Sequence, residues 1–539
     1  MNFAFLRVGA RALAAWWCSA FAFVGVIHAA PQEPFAGVDD KWRHYQSPNF
    51  ELFSRVGDDD SRTLLREIEV LRALFLRTLD IEARAPAPVT IYYFGNVDDF
   101  RRYLEPGHRK NDSYRAFYLS HPDRGVMLLA PLDSDRSGNQ LALSSYVYHL
   151  FRMAGERAPM WFTAGFAHLF ETLEVQSERV NFGKASPGRV RLLQQKSLMP
   201  LESLMGIEQG DPLFADENAS SLFYAQSWAV VHYWTLGQHK LPRAGIDRFL
   251  KLIRTQRGLT AAERRAKFEE CFGLTLEAMN KAIDSYVASG RYTFSRVPLP
   301  DAAPKNSYVR RAVAREEIRE RLGEVAYRAH GDQAGRFTLL DAIGRDRTNA
   351  RAFEALGAVA LREGDRDQFR DRWAAAIEAG TTNPAVIRQF AQFESERWFR
   401  QFDYYFRLPP ERADYLRELL LRSIKVAPLQ AEAYEQLAWV EASAPTPSIR
   451  NVNLVQSKFA TLEDQPRTLL ALALVRLRLG DRAAGEKFLA ELEKGDADMM
   501  VRQAVETVRA TLENRPPRRL ERPETPTGRV VLTPGVRKP

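Results

Sequence analysis

Two neighbouring stretches decide how this chain is organised: Leu141-Ala-Leu-Ser-Ser-Tyr-Val-Tyr-His-Leu-Phe151 and Pro159-Met-Trp-Phe-Thr-Ala-Gly-Phe-Ala-His-Leu-Phe170. Both carry aromatic residues at helical spacing, Tyr146 and Tyr148 in the first and Trp161, Phe162 and Phe166 in the second. Aromatic side chains so spaced read first as core, and second as the walls of a groove. Further on, Tyr224-Ala-Gln-Ser-Trp-Ala-Val-Val-His-Tyr-Trp234 has the same character, so His232 reads as a hydrogen-bonded core histidine. Upstream lie three strand signals, Phe50–Phe53, Val89–Phe94 and Gly125–Ala130, with helical patterns at Asp60–Leu79 and Asp98–Leu104 between them. Strands first and helices afterwards predict an α+β domain, a small sheet ahead of a helical lobe.

The second stretch resembles the gluzincin-type, peptidase MA-like metallopeptidase domains. Their first helix carries His-Glu-x-x-His and their second begins Trp-Leu-x-Glu-Gly-Leu-Ala-Glu-Tyr-Phe. Trp161, Gly165, Ala167 and Phe170 fall in register, and Leu198-Met-Pro-Leu201, Tyr224–Trp228 and Phe268 through Gly273 to Tyr286 look like later landmarks of the group. The resemblance covers residues 42–290. Zinc hydrolysis needs two imidazoles one helical turn apart, a glutamate beside the first to deprotonate the bound water, and a carboxylate from the next helix. In register, Ser145 stands for the first histidine, Tyr146 for the base, and Ala164 for the ligand glutamate, while His149 keeps the second histidine. The resemblance therefore implies the scaffold without its metal, hence no catalytic residue and no cofactor. The alternative is a displaced zinc site of His149, His168 and Glu171, since His168 and Glu171 share a helix face with position 164. Against it, both histidines read as partly buried and hydrogen-bonded, and Glu171 as a solvated helix charge. Ser145 beside His149 invites a nucleophile reading, for which no acid partner or oxyanion loop is identifiable.

Working outward, Arg7 and Arg11 precede an apolar run from Ala12 to Ala30, the order of a secretory signal. Residues 1–30 are read as a cleaved signal of an exported, periplasmic or cell-envelope protein. The run is nearly long enough to span a bilayer, so membrane attachment is the alternative. Cys18 follows Trp17 where a lipoprotein signal wants a small residue. Beyond the signal Cys271 is the sole cysteine, which excludes an intramolecular disulfide and leaves stability to the core. With 45% hydrophobic and 11% aromatic residues over 539 positions, two or three packed domains are expected. The formal charge of +8 includes Arg7 and Arg11 and a basic tail, so no nucleic-acid partner is expected.

Downstream, the Pro-rich Val297-Pro-Leu-Pro-Asp-Ala-Ala-Pro304 marks a boundary, and 291–310 is read as a linker. Residues 311–513 then repeat with a period near 34: Phe353, Leu356, Gly357; Ile387, Phe390, Ala391; after an insertion Tyr434, Leu437, Ala438; then Leu469, Leu472, Ala473. Glu363-Gly-Asp365 and Leu479-Gly-Asp481 fall at the bends. These units resemble tetratricopeptide (TPR) repeats, which implies an all-α superhelix whose concave face binds a protein or peptide partner. The insertion at Arg397–Arg407, rich in aromatics from Trp398 to Phe406, reads equally as core packing and as an interface or partner site. From 514 the chain is Pro- and Arg-rich and is expected to be a disordered basic tail. The function expected is exported, non-catalytic binding or scaffolding; the alternative is a hydrolase of peptide or cell-envelope polymer working through His149 and His168.

Overall fold

The computed structural model describes residues 34–520 apart from 80–87, 111–114, 132–137, 154–157, 238–240, 256–259, 301–307, 460–464 and a few positions between them. The expected signal at 1–30 and the tail from 521 lie outside the described residues. Nine strands form among those described: β1 (Arg43–Gln46), β2 (Phe50–Ser54), β3 (Val89–Tyr93), β4 (Ala116–Ser120), β5 (Gly125–Leu129), β6 (Glu174–Val175), β7 (Arg179–Phe182), β8 (Ser295–Pro298) and β9 (Val309–Ala312). The three strands expected from sequence are β2, β3 and β5, which run parallel at the centre of a six-stranded sheet of order β4-β5-β3-β2-β1-β9. β4, β1 and β9 are antiparallel additions at the two sides.

The first region holds helices α1 (Asp58–Leu79), α2 (Val97–Arg101), α3 (Gly138–Met153), α4 (Met160–Phe170), α5 (Pro187–Gln195), α6 (Leu201–Gly206), α7 (Glu217–Leu236), α8 (Arg243–Thr255), α9 (Ala261–Phe272) and α10 (Leu276–Ser289). The sheet is buried on both faces, which is why its central strands read as nearly continuous apolar runs. Phe50, Leu52, Ile91, Tyr93, Met127 and Leu129 pack on one side against α1, α3 and the helical lobe. Phe53, Tyr92, Phe94, Val126 and Leu128 pack on the other, against Phe35, Trp42 and the apolar face of Ile318, Leu322 and Val325.

Those last three residues belong to the second region. It consists of α11 (Arg315–His330), α12 (Gln333–Arg345), α13 (Ala350–Glu363), α14 (Arg366–Glu378), α15 (Pro384–Glu396), α16 (Pro410–Val426), α17 (Ala431–Ser443), α18 (Ile449–Lys458), α19 (Gln465–Arg478), α20 (Arg482–Lys494) and α21 (Met499–Leu512). Successive helices pair and stack into a TPR-like array. At the bends Gly364 and Gly480, both at φ 81°, close α13 and α19, and Asp365 and Asp481 accept from the first turns of α14 and α20.

The segment 291–310, expected as a linker, carries a strand at each end. Ser295–Pro298 extends the small β6-β7-β8 sheet, and Val309–Ala312 adds to β1, so the chain enters the array already pinned to the first region. A second junction is electrostatic. The turn between β4 and β5, His121 to Arg124, inserts among α11, α13 and α15. Arg328 of α11 holds Asp123 bidentately at 2.9 and 2.7 Å, and its Nε donates to Glu324 at 2.8 Å. Arg351 of α13 bridges Glu324 at 2.9 Å to Glu51 of β2 at 2.6 Å. Arg124 pairs with Glu354, Asn383 donates to the Asp123 carbonyl at 3.0 Å, and Gln389 donates to the Pro122 carbonyl. Asp123 and Arg328 are both fully buried. The carboxyl of Asp123, which burial alone would raise, is held below its ordinary value by Arg328 and Arg124.

Candidate functional site

The positions in register with the metal ligands lie on α3 and α4, which pack against each other, and α4 packs on α7 as well. Ala164 is fully buried within the aromatic core, and Ser145 is half-buried on α3. Tyr146 packs edge-on against Phe50 at 4.9 Å between ring centres, and burial pushes its hydroxyl up to about 12. His149 is 2% exposed, and its Nδ1 pairs with the hydroxyl of Tyr118 on β4. Trp161, Phe162 and Phe166 are core residues, so the aromatic groove weighed from sequence is filled by its own side chains.

His168 and Glu171 do come together, but around a guanidinium. His168 Nδ1 lies 2.6 Å from Glu171 Oε2, and Arg189 of α5 donates to Glu171 Oε1 at 2.7 Å. A carboxylate only accepts, so Nδ1 carries the proton, and the 3.2 Å approach of Arg189 to that same nitrogen is not its productive bond. Arg189 also stacks over Trp228 at 5.2 Å. Among the described residues no group of three or more His, Cys, Asp or Glu side chains is placed to hold a metal ion. The displaced set of His149, His168 and Glu171 is thus not assembled: His149 faces Tyr118, and Glu171 is not a solvated charge but the acceptor of a partly buried His–Glu–Arg cluster. Arg189 lies 18 residues beyond Glu171, and nothing in the sequence signalled it.

The cluster has a pH signature. Burial would raise the Glu171 carboxyl, but Arg189 and His168 outweigh it and bring it from 4.5 to about 2. A depressed carboxylate contributes its stability in full above the unfolded value and loses it as pH falls towards the folded one. Glu171 therefore supplies on the order of 3 kcal/mol that disappears between about pH 4.5 and 2. Unfolding free energy measured against pH is expected to fall less steeply across that window in Glu171→Gln than in the parent chain.

His232 is satisfied as the sequence suggested. Its Nε2 donates to the Gly183 carbonyl at 2.9 Å and its Nδ1 accepts from Tyr286 at 2.7 Å, an arrangement that fixes the neutral ring. Burial lowers its pKa accordingly.

A cavity of about 290 Å³ opens elsewhere, in the later half of the array. It is walled by α15, α17, α19 and α21 together with the aromatic insertion, with Phe399, Phe402, Phe406 and Trp439 as its apolar side. Phe399 and Phe402 each lie 6.4 Å from Trp439, so the insertion is partly packed on the array's core and partly lining for the cavity. Arg478 enters from α19, donating to the Tyr404 carbonyl at 2.7 Å with its guanidinium 5.9 Å from the Tyr404 ring. Burial, with Arg407 nearby, lowers its pKa to about 10. Its Nε and Nη1, and Gln436 Oε1 opposite, are buried without a hydrogen-bond partner among the described residues. The period of the repeats located this array, but the cavity needed the fold.

No protein-family model matches the chain, and no curated protein is significantly similar to it. Among solved structures, YrrB, described as a TPR protein with an unusual peptide-binding site, is similar at 14% identity over 36% of this chain and 91% of its own, with a TM-score of 0.27. A thermophilic TPR protein of Thermus thermophilus is similar at 18% identity over 36% of this chain and 99% of its own, with a TM-score of 0.21. Likenesses this distant say nothing about activity.

Proposed function

We propose that this chain is a non-catalytic binding or scaffolding protein, in which a metallopeptidase-like domain without its metal ligands supports a repeat array that takes an extended segment of a protein partner. The reading rests on one contrast. At the positions in register with the metal ligands, His149 is paired with Tyr118, Ala164 and Tyr146 are core, and no metal-holding group forms among the described residues, whereas the array keeps a cavity of about 290 Å³ lined by aromatic, carboxylate and guanidinium side chains. A lining of that kind suits an extended segment carrying apolar and charged side chains. Export, with the signal cleaved or retained as a membrane attachment, is proposed on the sequence of residues 1–30 alone.

Elemental analysis of the full chain tests the first half of this reading, with His149→Ala and His168→Ala alongside. The expected result is zinc far below one per chain in all three, and no hydrolysis of peptide substrates. Stoichiometric zinc that is lost in both variants would replace the proposal with the alternative, a hydrolase of peptide or envelope polymer using a rearranged site.

A further inference from the structure

The array already grips one segment of this chain, and the grip bears on the cavity. At the start of the array the turn His121–Arg124 is held by backbone and by charge. Asn383 donates to the Asp123 carbonyl at 3.0 Å, Gln389 donates to the Pro122 carbonyl, and Glu354 of α13 pairs with Arg124. Arg124 is buried there, so its charge needs the carboxylate. Glu354 directly follows Phe353, the large residue that opens the repeat signature. After Ile387 in the second unit comes Arg388, after Tyr434 in the third comes Glu435, and after Leu469 in the fourth comes Leu470. Repeats stack with the same helix face inward, so one repeat position lines one side of the array. Among these four units the carboxylate recurs in the third, and there it lines the cavity between α15, α17, α19 and α21.

The charge of the cavity points the same way. Glu396, Asp403, Glu432 and Glu435 stand on its walls against Arg467 and Arg478, which leaves carboxylates in excess. Arg478 is moreover committed to the Tyr404 carbonyl at 2.7 Å. Glu432 and Glu435, one turn apart on α17, are half-buried, where attraction to a cation is screened less than at the open surface. Phe399, Phe402 and Trp439 line the same space. Aromatic faces beside carboxylates suit a guanidinium, which stacks on the one and forks to the other. A volume of about 290 Å³ falls just short of the roughly 300–1,000 Å³ of pockets that enclose whole small molecules, and suits one long side chain with its neighbours.

We infer that the cavity receives an arginine side chain from an extended segment of a partner protein, with Glu435 in the part that Glu354 plays towards Arg124, Glu432 a turn away, and the arginine's apolar neighbours on the Phe399, Phe402 and Trp439 wall. This rests on the reading that the array takes such a segment, and it names the residue the segment must present. The array then grips two arginines by one device, its own at the start and a partner's in the later half.

The test presents the full-length chain to immobilised heptapeptides whose central residue is arginine, citrulline, leucine or glutamate, each within the same set of apolar flanks. Arginine peptides are expected to bind at least tenfold more tightly than their citrulline counterparts, which keep the shape and lose the charge. Glu432→Gln with Glu435→Gln is expected to remove that preference while the urea unfolding midpoint stays at that of the parent chain. Met500→Lys puts a cation on the cavity's α21 wall at a residue 60% exposed, so it leaves the core intact, and it is expected to weaken arginine-peptide binding at least tenfold. Equal binding of arginine and citrulline peptides, or a preference for leucine or glutamate, overturns the inference and leaves the extended-segment reading standing. Arginine-peptide binding that Met500→Lys does not weaken does the same, because the arginine is then read elsewhere. If no heptapeptide binds the folded parent chain, both fail.

Discussion

Asp123→Ala is expected to lower the unfolding free energy by about 3–5 kcal/mol, because it leaves the fully buried Arg328 guanidinium without its bidentate partner. The neighbours do not compensate. Glu324 is already shared between Arg328 and Arg351, and Glu354 is committed to Arg124, Thr381 and the Asn383 amide. Replacing the charges together is a different matter, since the cost of a broken buried pair is mainly that of the stranded charge. Asp123→Leu with Arg328→Met is expected to recover most of the loss. Urea titration followed by tryptophan fluorescence would check both, read at the first transition. A loss under about 1 kcal/mol for Asp123→Ala would show that water reaches the turn and solvates Arg328. The turn occupies the start of the array, whereas the cavity lies in its later half.

This network also shows where sequence reasoning stops. Arg124, Arg328, Arg351, Glu324 and Glu354 look like ordinary surface charges in helical or turn context, and their partners lie as far as 300 positions away. The central strands were legible because burial on both faces forces apolar runs at β2, β3 and β5. β1, as Arg-His-Tyr-Gln, and β9, as Val-Arg-Arg-Ala, have no such runs; they are strands because each pairs along its length with a neighbour. For that reason the stretch expected as a linker contains β8 and β9. The repeats were legible from Phe353, Leu356 and Gly357 and their recurrences, since each unit needs the same large and small residues to stack. Their docking on the sheet, through Ile318, Leu322 and Val325, was not, because an apolar stripe on α11 does not name the surface that covers it. At the candidate site the histidines were visible and their partners were not: Tyr118 reaches His149 from 31 residues away, and Arg189 reaches Glu171 from the following helix.

Gly165→Ala should be the most damaging small substitution in the helical lobe, on the order of 3 kcal/mol. A Cβ at that position would lie 2.2 Å from the backbone oxygen of Ser227 and 2.5 Å from Val231 Cγ2, so α4 and α7 would have to part along their contact. Backbone cannot step aside as a flexible side chain can, and interiors packed at crystal density have no slack to absorb the shift. The control is Gly344→Ala in α12, where a Cβ meets nothing within 4 Å and alanine's better helix propensity is worth up to about 1 kcal/mol in the opposite direction. Thermal and urea unfolding of the two variants separate the effects: equal and small changes at both positions would mean that α4 and α7 are less closely packed than the structure places them. The residue matters beyond stability, because Trp161, Gly165, Ala167 and Phe170 are the four that carried the resemblance to a metallopeptidase helix. All four are buried in the structure, and Trp161 lies 5.2 Å from Trp234 of α7 between ring centres. The residues that carry the resemblance are therefore ones that pack α4 against its neighbours, which a helix buried on all sides needs whatever its ancestry. The measurement on Gly165 asks how much of the lobe's shape depends on that packing.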